Sequence, residues 1–199
     1  MFNRTKSYLL LTMLVLTGFA GRIHSDTLTG KERRQLIKEL KQSRASIAET
    51  IEGLSDKQFN HVSRNHGRSV RDCIYSLTAI ENQLWNHTRS VMLEPSSAPG
   101  KDNRLDRLRV VANMLSVDHS GLQHAAAFTD INTALEQFRY DRHAIIRYAK
   151  TTTDDLHKYK LKTNAGDIDV YQLILMHTRY TEACSQLIAD IKRSPDFPK

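Results

Sequence analysis

DVYQLILMHTRYTEACSQLIADI, residues 169–191, reads as one amphipathic helix. Val170, Leu173, His177, Tyr180, Cys184, Leu187 and Ile191 recur in steps of three and four, which gathers them on one face. The middle of that face carries His177, Tyr180 and Cys184 among apolar neighbours. A functional site is expected there before anywhere else.

Three further stretches share this periodicity. Thr29 with Glu32 is a capping box, opening a helix from residue 30 to about 53. Its stripe is Leu36, Leu40, Ile47, Ile51 and Leu54, and Gly53 supplies a left-handed C-terminal turn. Residues 55–58 begin a short extra turn. Ser69 with Asp72 opens a second long helix to about residue 93, with the stripe Val70, Cys73, Leu77, Ile80, Leu84, Thr88 and Val91. Ser76 sits on its flank, and Trp85 and His87 are expected at the edge or outside. Asn86-His87-Thr88 matches a glycosylation pattern but lies mid-helix.

A third long helix spans residues 130–151, with the stripe Ile131, Leu135, Phe138, Arg142, Ile145 and Ala149. Arg142 interrupts that apolar face. A buried arginine needs a partner, so it either snorkels or meets a carboxylate such as Glu81 or Glu182. Asp169 begins the last helix and complements its dipole.

The intervening segments read as follows. Residues 60–68 are polar, and His61 and His66 there are expected in solvent. Residues 94–103 are a loop, 105–117 a modest helix and 118–129 irregular or short helical structure, with solvated His119 and His124. Residues 151–167 are a connection with a helical turn at 154–157. The chain has only 8 Gly and 4 Pro, and strand-like alternation is hard to find. Four long amphipathic helices on short-to-medium connections predict an all-α four-helix bundle over residues 29–193. Residues 21–28 are then a linker and 194–199 a tail.

Residues 1–20 read as a signal peptide. Arg4 and Lys6 make a positive n-region, residues 8–20 an apolar run of 13, and Gly18-Phe19-Ala20 a small-residue cleavage site. The run is short for a membrane span. An uncleaved anchor is the alternative, and would be the chain's one membrane attachment. Either way the body is expected outside the cytoplasm, secreted or periplasmic.

At 199 residues and 40% hydrophobic, the chain can bury one ordinary core. Its net charge of +7 and pI near 9.5 invite a nucleic-acid reading. The cations are spread along the chain beside acidic residues, and loss of Arg4 and Lys6 leaves +5. A solvated helical surface is the better reading, and no nucleic-acid partner is expected.

The order of features resembles the DinB-like superfamily of four-helix bundles. The resemblance rests on Gly53-Leu54-Ser55-Asp56-Lys57-Gln58, on Ser69-Val70-Arg71-Asp72 followed by residues 77–81, on Phe138 with Arg142, and on Asp169-x-Tyr171-Gln172 with Thr181-Glu182. It covers roughly residues 29–191 and implies a bacterial fold whose members often hold a divalent ion, zinc or nickel, on three histidines. Some members transfer low-molecular-weight thiols. Here the helix-2 position carries Ser76, and the helix-4 pair falls on Tyr180 and Cys184. A one-residue offset gives Arg179 and Ala183 instead. Neutral hydroxyl and phenol side chains are poor donors for zinc or nickel, so no cofactor is expected.

If the second and last long helices face each other as in that family, Cys73 and Cys184 could form a disulfide in an exported protein. Two separately buried thiols are the bland alternative. His177 and Cys184 stand two turns apart, roughly 10 Å along the axis, too far to share an ion or act as a thiol–imidazole pair. The pocket candidates are Cys73, Ser76, Arg142, His177, Tyr180 and Cys184. The expected role is non-catalytic binding of a small ligand, a protein partner or a second copy of the chain. A metal-dependent hydrolase or thiol transferase with substituted ligands is the alternative.

Overall fold

The computed structural model describes residues 28–93, 130–163 and 166–199. The expected leader, nearly all of the linker, the helix over 105–117, His119 and His124 lie outside them. The elements are α1 (Gly30–Ile51), α2 (Asp56–Asn60), α3 (Val70–Leu93), α4 (Ile131–Thr151), β1 (Lys160–Thr163), β2 (Gly166–Asp169) and α5 (Val170–Lys192). The described chain is predominantly helical. None of its helices is long and apolar enough to cross a membrane.

The caps explain where the helices start. Thr29 and Glu32 make the reciprocal box at α1, Ser55 and Gln58 another at α2, and Asp169 and Gln172 a third at α5. At α3 the Ser69 amide donates to Asp72 Oδ2 at 2.9 Å while Ser69 Oγ accepts from the Asp72 amide at 3.1 Å. The Asp130 carboxylate caps α4 through the Thr133 amide. Gly53 has φ +71°, the left-handed turn that ends α1.

The four long helices pack in a ring: α1 touches α4 and α5, and α3 touches the same two. Their buried apolar residues form two clusters. One gathers Ile47, Ile51, Val70, Leu77, Phe138 and Ile188. The other gathers Leu36, Leu40, Ile145, Ala149, Leu156 and Ile174. Between them lies a polar layer. It takes Ser43 from between Leu40 and Ile47, Arg142 from between Phe138 and Ile145, and His177 from between Ile174 and Tyr180.

Several expectations are corrected. Residues 160–169 form an antiparallel hairpin, with Lys160 opposite Asp169 and Leu161 opposite Ile168. A turn at residues 156–158 leads into it, and the Val170 amide donates back to Leu156 O and Tyr159 O. His157 Nδ1 stands 2.9 Å from Asp169 Oδ2, tying this connection to the cap of α5. The buried face of α5 is wider than one stripe. Tyr171, Ile174, Leu175, Met176, Thr178, Thr181, Ser185 and Ile188 are buried as well, because α5 lies between α1 and α3. Trp85 is buried, its ring 5.5 Å from that of Tyr148.

The stretch over 194–199 is docked. Ser63 and Ser194 share a hydrogen bond of 2.9 Å, Gln58 donates to Pro198 O, and Phe197 packs on the core. His61 is accordingly half-buried, 3.2 Å from Asp196 Oδ2 and edge-on to Phe197.

Candidate functional site

Arg142 is the hub of the polar layer. Its Nε donates to Glu81 Oε1 at 2.5 Å and its Nη2 to Glu81 Oε2 at 2.9 Å, a two-pronged fork. Nη1 donates to Ser43 Oγ at 2.6 Å, and Nη2 also reaches Thr181 Oγ1 at 2.7 Å. One side chain from α4 therefore ties α1, α3 and α5 together. The fork settles which carboxylate it meets: Glu182 is exposed and pairs with Arg179. Phe138 lies beside the guanidinium, its ring centroid 5.2 Å from Cζ.

Glu81 also accepts from His177, whose Nδ1 is 2.8 Å from Oε2. Burial alone would raise the Glu81 carboxyl. The adjacent Arg142, and after it His177, outweigh burial and hold it down at about 2. His177 is shifted the other way. Burial disfavours its charged form and lowers it below the ordinary 6.5, against the pull of Glu81. The imidazole is neutral at pH 7, with its proton on Nδ1. That leaves Nε2 as a buried acceptor without a hydrogen-bond partner among the described residues.

Ser76, Tyr180 and Cys184 are all buried. Of the two registers weighed for α5, only the ungapped one puts both positions in the core, since Arg179 is exposed. Cys73 and Cys184 are free buried thiols, so the structure holds no bridge between them. Burial pushes Cys73 up to about 12, with Arg68 opposing. It pushes Cys184 higher, and Cys73 adds to the effect. Tyr180 is raised by burial and then by Cys184. All three are protonated and neutral at pH 7. Ser76 Oγ is buried without a hydrogen-bond partner among the described residues.

These groups do not fit a zinc or nickel centre. Ser76 and Tyr180 present a neutral hydroxyl and a neutral phenol, which are poor donors for either ion. Among the described residues, no three of His, Cys, Asp and Glu converge on a point that would hold an ion.

The six pocket candidates are all buried. A groove of about 330 Å³ lies elsewhere, between α1 and α4, and none of those six residues lines it. Ile47, Ile51, Leu135 and Phe138 form its floor, and Arg44 and Arg139 also line it. Phe138 both lines this groove and lies beside Arg142.

Two residues of the hub escaped the sequence reading, Ser43 and Thr181. Ser43 had a usable signal: it falls three after Leu40 and four before Ile47, on the stripe itself. Arg68, buried at the start of α3, carried none. No protein-family model, curated protein or solved structure matches the chain.

Proposed function

We propose that the chain is an exported DinB-like four-helix bundle whose metal centre has degenerated, and which binds a small ligand or a protein partner without catalysis. The observation that carries this reading is the donor set at the three family positions. A hydroxyl, a phenol and a thiol stand there, each buried and each neutral at pH 7. The hub around Arg142 supports it further. Its charged groups already satisfy one another, so they offer little to a reacting substrate. The signal-like leader supports a secreted or periplasmic bacterial protein.

One observation favours the alternative, a divalent-metal-dependent hydrolase or thiol transferase. His177 is held by a carboxylate on Nδ1 and, among the described residues, keeps Nε2 unpartnered, as metal-bound imidazoles commonly are oriented. A thermal-shift screen across a broad compound panel, run with and without EDTA, separates the two. The binding reading predicts at least one ligand-induced rise in Tm that EDTA leaves unchanged. A fall in Tm on adding EDTA alone contradicts it.

A further inference from the structure

We infer that the groove between α1 and α4 takes an amphipathic carboxylate, with its hydrocarbon tail on the apolar floor and its anionic head at Arg44 and Arg139. The inference rests on the binding reading above and names the ligand class. Ile47 and Ile51 from α1 face Leu135 and Phe138 from α4, giving a floor without a polar side chain. Two cations line the same groove. Among the described residues neither meets a carboxylate in an ion pair, and Arg139 is exposed.

The combination selects the ligand. A wholly apolar molecule would leave both guanidinium groups unused, and a cation would be repelled. A carboxylate suits the planar fork of an arginine. The groove is at the small end of ligand sites, which run about 300–1,000 Å³. A single short hydrocarbon chain fits that size. Phe138 lines the groove and also has the Arg142 guanidinium 5.2 Å from its ring centroid.

Octanoate is the probe and octanol its uncharged control, followed by calorimetry and amide chemical shifts. Octanoate is expected to bind, with shifts confined to residues 44–51 and 135–139. Octanol should bind roughly tenfold more weakly, the size of a charge-assisted hydrogen bond. The double variant Arg44→Gln/Arg139→Gln should weaken octanoate to the level of octanol. Ala48→Trp, which fills the groove from an exposed position on α1, should block both. Circular dichroism confirms that the variants fold; any variant that does not is replaced by the single change Arg139→Gln, at an exposed position.

Equal binding of octanol and octanoate overturns the proposal, as does octanoate binding that ignores both variants. So does an absence of octanoate binding at millimolar concentration. Should another compound then raise the Tm of the parent and of Ala48→Trp alike, the groove assignment falls while the binding reading stands. Should no compound in the panel bind, the groove assignment and the small-ligand form of the binding reading both fall.

Discussion

Arg142 and Glu81 meet as a fork in the middle of the protein, Nε to Oε1 at 2.5 Å and Nη2 to Oε2 at 2.9 Å, with both side chains almost wholly buried. Two charges removed from water are costly, and their attraction recovers that cost only with good geometry and further hydrogen bonds. Ser43 and Thr181 supply those bonds. The layer thus ties the four long helices together through residues 43, 81, 142, 177 and 181.

Breaking the fork on one side should be severe. Arg142→Met leaves the Glu81 carboxylate buried beside His177 alone and should cost about 3–5 kcal/mol in urea unfolding. Arg142→Lys should recover only part, since an ammonium cannot span both carboxylate oxygens. The double change Glu81→Leu/Arg142→Met should be less damaging than the sum of its singles. An additive double would contradict a coupled pair.

Stability should fall on acidification in two stages. His177 is lowered in the folded state, so below its ordinary 6.5 the unfolded chain binds the extra proton and is favoured. Glu81 is held at about 2 against an ordinary 4.5. Its contribution, about 3 kcal/mol from a shift of that size, is present above 4.5 and lost as pH falls towards 2. Urea midpoints from pH 8 down to pH 3 test this. His177→Gln should remove the upper stage and keep the lower.

Ser76→Ala should be neutral or stabilising by up to about 1 kcal/mol, because the hydroxyl is buried without a partner among the described residues. A loss of more than that in Tm-derived stability would reveal a bond that Ser76 makes.

Denatured, unreduced protein should titrate two thiols, Cys73 and Cys184. In the native state both should react slowly, being buried and protonated at pH 7. Fewer than two thiols in the denatured protein would mean that the pair has been oxidised to a disulfide.

Much of the helical framework was legible. Leu36, Leu40, Ile47 and Ile51, and Val70, Cys73, Leu77, Ile80 and Leu84, are buried as their spacing requires. Arg142 on an apolar stripe pointed either to a snorkelling side chain or to a carboxylate such as Glu81 or Glu182, and the structure pairs it with Glu81. The hairpin was missed although Lys160-Leu161-Lys162-Thr163 and Gly166-Asp167-Ile168-Asp169 alternate, because four residues per strand are too few to stand out. The groove was invisible for a different reason. It depends on which flank of α1 meets which flank of α4, a relation that periodicity within one helix does not encode. The position of residues 194–199 depends likewise on long-range bonds from Ser63 and Gln58.

Metal content tests the central claim most directly. Protein purified without chelator or added metal, dialysed and analysed by mass spectrometry, should carry far less than one equivalent of zinc, nickel or any other divalent ion. About one equivalent that survives dialysis, and whose removal lowers Tm, would contradict the account.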